Sequence, residues 1–146
     1  MQLNPDFKEF IELLNFHKVR YLVVGGYAVG FYGYPRYTGD IDIWIAISDE
    51  NAAKVLAVLY DFGFGSLPIQ IQDLLQEDLV LQLGQEPIRI DLLTTVTGIQ
   101  FEECYPHATI AQLGGLEIYF VDLEHLKANK KATGRQKDLG DLENLP

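Results

Sequence analysis

Asp40-Ile41-Asp42 heads the apolar run Ile43-Trp44-Ile45-Ala46-Ile47, and no other stretch limits so tightly what this chain can become. The run reads as a strand with its carboxylates at the start. Residues two apart on a strand share a face, roughly 7 Å apart at ~3.3 Å of rise per residue, so both acids look into one space. Like charges beside buried apolar groups repel and are costly to leave unpaired. A divalent cation removes that cost. Magnesium takes hard oxygen ligands, usually one or two carboxylates together with substrate phosphates. Two such ions about 3.5–4 Å apart make a clamp for in-line displacement at phosphorus. Alternation alone also describes a half-exposed strand whose acids are simply solvated.

Two further features bear on that choice. Upstream, the buried-type run Tyr21-Leu22-Val23-Val24 ends at Gly25-Gly26, and Tyr27 to Phe31 can start a short helix. Paired glycines let the backbone turn sharply and approach a ligand closely. A strand, a glycine turn and a helix start present backbone N–H groups that suit a phosphate, although such turns also occur without a ligand. Downstream, Asp91 is the single carboxylate in Ile88-Arg89-Ile90-Asp91-Leu92-Leu93. If that strand lies beside the one starting at Asp40, three acids meet at one end of a sheet, a set suited to two metals.

The order Gly25-Gly26, then Asp40-Ile41-Asp42, then a distant Asp91 resembles the nucleotidyltransferase superfamily with the DNA polymerase beta-type catalytic domain. Gly-Gly stands where the family also uses Gly-Ser, which removes one hydroxyl contact. Pro35-Arg36-Tyr37-Thr38 before the acid pair, and the Lys, Arg, Lys-Asp order near the C-terminus, resemble the small prokaryotic branch of minimal nucleotidyltransferases and abortive-infection toxins. The resemblance implies an α/β (α+β) fold, a mixed β-sheet with flanking helices, formed by one domain over residues 1–146. It implies transfer of a nucleoside monophosphate from an NTP to a hydroxyl of RNA, protein or a small molecule. Asp40, Asp42 and Asp91 would be the catalytic residues and would hold two Mg2+ ions. Gly25 and Gly26 would grip the triphosphate, with Arg36 and Thr38 on phosphate or base. Two other readings accompany it: the interaction half of a toxin–antitoxin pair, or an inert nucleotide-binding protein of the same fold.

The tail supplies the cations. Five of the eleven Lys and Arg residues lie between Lys127 and Lys137, in a chain of formal charge −10. A solvated helix with cations near its C-terminal end explains the cluster without a ligand. The resemblance instead places Lys127, Lys131, Arg135 and Lys137 on the triphosphate and leaving pyrophosphate, with arginine suited to bidentate phosphate contact. Asp138 and Asp141 would pair with neighbouring cations or cap the last helix. The overall acidity argues against binding nucleic acid by charge alone, since phosphate contacts rely on Lys and Arg.

The remainder reads as scaffold. Asn4 and Pro5 start a helix whose buried stripe is Phe7, Phe10, Ile11 and Leu14, with His17 capping its end. Ser48 or Asp49 starts another, with Ala52, Val55, Leu56 and Leu59 inward and a stop at Gly63. Ile69 to Leu75 reads as a short helix over the site. Asp78–Leu83 and 87–93 form one hairpin; Thr109–Leu113 and Leu116–Val121, around Gly114-Gly115, form another. Phe101 to Tyr105 is a helical turn stopped before Pro106, and Asp122 caps a helix from Leu123 to Ala132. Tyr27, Tyr32, Tyr34 and Tyr37 serve as core or as stacking platforms for a base. The lone Cys104, the absence of a signal-peptide pattern, and the lack of any ~20-residue apolar run suggest a cytoplasmic protein with no membrane partner.

Overall fold

The computed structural model describes residues 3–33, 39–85 and 88–146. Tyr34, Pro35, Arg36, Tyr37, Thr38, Glu86 and Pro87 therefore lie outside the described residues. The first helix, α1 (Pro5–Phe16), starts as its sequence dictates: Asn4 Oδ1 accepts the Asp6 N–H at 2.8 Å, with Pro5 in the first turn. Phe7, Phe10, Ile11 and Leu14 are all buried. The wholly buried β1 (Tyr21–Val24) follows and runs directly into α2 (Gly25–Phe31).

Six strands form one mixed sheet. They are β1, β2 (Asp40–Ile45), β3 (Val80–Gln85), β4 (Ile88–Leu93), β5 (Thr109–Leu113) and β6 (Leu116–Phe120), in the spatial order β3-β4-β2-β1-β6-β5. The inner pairings set the site: β2 is antiparallel to β1 and parallel to β4, while β1 is parallel to β6. Each edge strand is a hairpin partner of its neighbour, β3 with β4 and β5 with β6. Gly114 and Gly115, at φ +58 and +79, make the tight turn of the second hairpin, a geometry that side chains disfavour.

Period-two alternation divides β2 into two chemistries. Ile41, Ile43 and Ile45 are buried on one face; Asp40, Asp42 and Trp44 lie on the other. Trp44 anchors that second face: its Nε1 donates to Thr94 O at 3.2 Å, and its ring meets Phe101 edge-on at 5.2 Å. Phe101 opens α5 (Phe101–Cys104), which continues as a 3-10 turn through Pro106 to His107. The chain thus tightens at Pro106 instead of stopping before it.

Two expected elements are displaced, each for a local reason. The hairpin strand β3 begins at Val80 and not at Asp78, because Asp78 adopts φ +60 and its Oδ1 accepts the Thr95 hydroxyl at 2.8 Å. The next helices, α3 (Asp49–Leu59) and α4 (Ile71–Leu74), are joined by a wide turn, Tyr60–Phe64, with Gly63 at φ +98. α4 packs on α3 and adds nothing to the cavity described below, so it is not a cover for the site. Ser48 caps α3 by accepting the Asn51 N–H, and Ala52, Val55 and Leu59 are buried, with Val58 replacing Leu56 in the inner row.

The C-terminal helices, α6 (Leu123–Thr133) and α7 (Gln136–Asn144), pack on each other. Asp122 caps α6 by accepting the His125 N–H at 3.3 Å, and Gly134, at φ +66, ends it. Among the described residues, no helix is long and apolar enough to cross a membrane.

Candidate active site

Strand register brings the distant acids together. In the parallel β2–β4 pair, Asp42 stands opposite Asp91 and Asp40 opposite Arg89. Adjacent strands are about 4.8 Å apart and opposed residues share a face. One carboxylate oxygen from each of Asp40, Asp42 and Asp91 consequently lies within 4.8 Å of the others. The antiparallel β1–β2 pair sets Val24 opposite Asp42, which places Gly25 against the Asp42 side chain. Gly25 has φ +67, and a Cβ there would collide with the Asp42 carboxylate. Glycine is therefore required both by backbone conformation and by space.

Within the trio, the charged form of Asp42 is disfavoured. Burial raises the Asp42 pKa to about 6, and the neighbouring charges of Asp91 and Asp40 push the same way. Lys130 and Arg89 pull it down without reversing it. Arg89 lies two residues before Asp91 on β4, on the same face, and is hydrogen-bonded to the trio directly. Its Nε donates to Asp91 Oδ1 at 2.7 Å, and one terminal nitrogen donates to Asp91 Oδ2 and to Asp40 Oδ2, each at 3.1 Å. Asp91 is thus gripped through both oxygens, a planar fork that only arginine offers.

Beside the trio opens a cavity of about 630 Å³. Gly25, Gly26 and Asp42 stand at one side of it; Val80, Leu93 and Val96 give it an apolar lining; Lys130, Arg135 and Lys137 bring positive charge. Among the described residues no side chain caps α2, and Gly25 and Gly26 line this space. The volume lies within the ~300–1,000 Å³ typical of small-molecule sites.

The tail residues divide by helical phase. On α6, Leu126, Asn129 and Lys130 are buried, at the i, i+3, i+4 spacing of one face. Lys127 and Lys131 each follow a buried residue and so sit about 100° round the helix from that face. Lys127 approaches Glu124 at 3.9 Å, Lys131 is exposed, and neither lines the cavity. Arg135 and Lys137 do line it. The residue that counting charges does not single out is Lys130, 5% exposed, with Nζ at 3.0 Å from Asp138 Oδ1 and 3.2 Å from Asp141 Oδ2. Its sequence signal is the pair Asp138 and Asp141, three apart and therefore on one face of α7. Asp138 also accepts from Arg135 Nε at 2.6 Å and from the Thr133 hydroxyl at 2.7 Å. Burial alone would raise the Asp138 pKa, but those donors and Lys130 carry it below the usual carboxylate range.

Tyr27 and Tyr32, the two of the four candidate tyrosines that are described, serve packing. Tyr27 meets Phe7 edge-on at 5.5 Å, and the Tyr32 hydroxyl donates to Val121 O at 2.7 Å. Arg36 and Thr38, with Tyr34 and Tyr37, lie outside the described residues.

No family model matches the sequence, and no curated protein matches it. Solved structures do. One, a protein of Thermotoga maritima assigned by inference as a nucleotidyltransferase, aligns over 97% of this chain and 93% of its own, with a TM-score of 0.65 at 15% identity. Another, an antigenic nucleotidyltransferase-like protein of Paracoccidioides brasiliensis, aligns over 93% of this chain and 71% of its own, with a TM-score of 0.57 at 16% identity. The chain has the nucleotidyltransferase fold. Within that fold the acid trio suits a hard divalent cation. All three donors are carboxylates, their oxygens converge, and Asp42 is disfavoured as an anion by its burial and then by its two acidic neighbours.

Proposed function

We propose that this protein is a metal-dependent nucleotidyltransferase that moves a nucleoside monophosphate from an NTP to a hydroxyl acceptor. The observation that carries this reading is the convergence of Asp40, Asp42 and Asp91 beside Gly25 and a cavity with a cationic wall. In it, Asp40, Asp42 and Asp91 would hold the divalent magnesium ions that the reaction uses. When bound, such ions offset the charge that develops on the phosphoryl oxygens and lower the pKa of the attacking hydroxyl. The chain's own residues do the positioning. Gly25 and Gly26 admit the triphosphate closely, Lys137 and Arg135 offset charge on the pyrophosphate, and the apolar lining at Val80, Leu93 and Val96 accepts the nucleoside. Asp91 orients the acceptor hydroxyl. The hydroxyl oxygen releases its proton to solvent and bonds to the α-phosphorus, the bond from that phosphorus to the bridging oxygen breaks, and pyrophosphate leaves.

The test is incubation of the purified protein with α-labelled NTPs, magnesium and separately supplied RNA, protein or small-molecule fractions. Label transferred by the wild type and absent with Asp40→Asn or Asp42→Asn supports the reading; equal transfer by the double variant ends it. One observation favours a second reading. The guanidinium of Arg89 stands among the acids, as a permanent replacement for a metal would in an inert nucleotide-binding protein of this fold. NTP binding with no metal dependence and no pyrophosphate release is its signature.

A further inference from the structure

Arg89 is hydrogen-bonded to two of the three acids whose oxygens converge. Its three described hydrogen bonds engage both oxygens of Asp91 and one of Asp40. Asp42 instead lines the cavity. The register of β2 and β4 explains the asymmetry: Arg89 lies opposite Asp40, one step along the face from the Asp42–Asp91 pair, and its side chain leans along β4 onto Asp91. The guanidinium is about one-fifth exposed, so a route to solvent exists for a long, flexible side chain.

We infer that Arg89 is a displaceable place-holder: an internal cation that neutralises Asp91 and Asp40 in the metal-free protein and is expelled when a divalent ion takes those oxygens. The inference rests on the nucleotidyltransferase reading and adds a regulation of the same site. Bonds to Asp91 must be exchanged for each ion bound there, so Arg89 weakens metal binding while it stabilises the empty site. The guanidinium and a divalent ion repel each other at this short range, and each hydrogen bond Arg89 keeps leaves Asp91 one lone pair fewer for the ion. A residue that merely oriented Asp91 for the metal would have the opposite effect, because its loss would weaken binding.

The sign of the change in metal affinity is therefore the test. Mn2+ is titrated calorimetrically into the full chain without nucleotide, for wild type, Arg89→Gln and Arg89→Lys, with thermal unfolding of each in parallel. The expected result is binding by all three, tightened at least about fivefold in R89Q and less in R89K. Both variants should show a lower metal-free melting temperature and a larger metal-induced rise. Should R89Q fail to fold, R89K carries the same prediction, since lysine keeps the charge and loses the fork. In the wild type, the Arg89 Nε–H signal in a nitrogen-resolved NMR spectrum should move on titration with Mg2+. Equal or weaker Mn2+ binding by the variants, an unmoved Nε–H signal, or a wild type that binds no Mn2+ each overturns the inference. Competition without nucleotidyl transfer upholds the place-holder and removes the catalytic reading; transfer with unchanged R89Q affinity does the reverse.

Discussion

Two clusters of charge lie along the same cavity, and they are built to opposite ends. At the C-terminal helices, Lys130 and Arg135 meet Asp138 and Asp141, two cations against two acids, and three of the four are nearly inaccessible. In the strands, Asp40, Asp42 and Asp91 meet Arg89, three acids against one cation among the described hydrogen bonds. The carboxyl pKa values record the difference. Asp138 falls because its donors outweigh its burial, whereas Asp42 rises to about 6 because burial and like charges act together. A balanced cluster locks α6 to α7 and positions the cationic wall; the acid-rich one is the cluster that we propose takes a cation.

The largest expected effect comes from unbalancing the lock. Asp138→Ala strands Lys130 beside a single acid and releases Arg135 and Thr133, for a loss of about 3 kcal/mol or more in denaturant unfolding. A loss below about 1 kcal/mol, the range of solvated pairs, would show that the contrast with the strands is unreal.

The converse change should stabilise. For Asp42 the folded pKa is raised, so its charge destabilises the metal-free fold: the effect is absent below pH ~4, grows as pH rises towards 6, and is constant above. Asp42→Asn is expected to gain roughly 2–3 kcal/mol at pH 8 without metal, because each tenfold change in proton affinity on folding is worth about 1.4 kcal/mol. It should flatten the stability profile between pH 4 and 6 and abolish Mn2+ binding. Asp138 has the reverse sign: its depressed pKa supports the fold above pH ~4, and that support fades as pH falls below it. Unfolding midpoints of wild type and D42N across pH 3–8 separate the two.

Gly25→Ala tests the seam between strand and carboxylate. A left-handed φ and a Cβ driven into Asp42 should together cost about 1–3 kcal/mol, and Mn2+ affinity should fall because Asp42 is pushed aside. Unchanged affinity would mean that Asp42 does not need its place against Gly25. The smallest effects belong to the tail. Lys127→Ala should change stability by under about 0.5 kcal/mol, because its pairing with Glu124 is long and exposed. Lys137→Ala should leave stability equally unmoved and raise the KM for NTP severalfold. Equal KM effects from the two would show that helical phase does not sort these lysines.

Much of this is legible without coordinates. Asn4, Ser48 and Asp122 announce three helices, because a capping side chain acts on its own next few amides. Gly114-Gly115 announces a hairpin for a similarly local reason. The ranges that slip are those where a partner distant in sequence intervenes: Thr95 holds Asp78 out of β3, and α4 packs on α3 instead of over the site. Lys130 does not stand out among five cations because its distinction is burial against α7, which a charge count does not contain. In the sequence Arg89 is one polar residue in an apolar strand, with nothing to mark its reach to Asp40.

The residues alone determined that Asp40 and Asp42 share a face, since a strand alternates with period two whatever surrounds it, and that Gly25-Gly26 can turn. Only the tertiary structure decided that β4 lies parallel to β2 in the register that sets Asp91 opposite Asp42, and that Arg89 reaches both Asp91 and Asp40 while Lys130, not Lys127, faces inward. Strand register and helix rotation are set by how whole surfaces pack, so both depend on information spread over the entire core and on no single stretch of it.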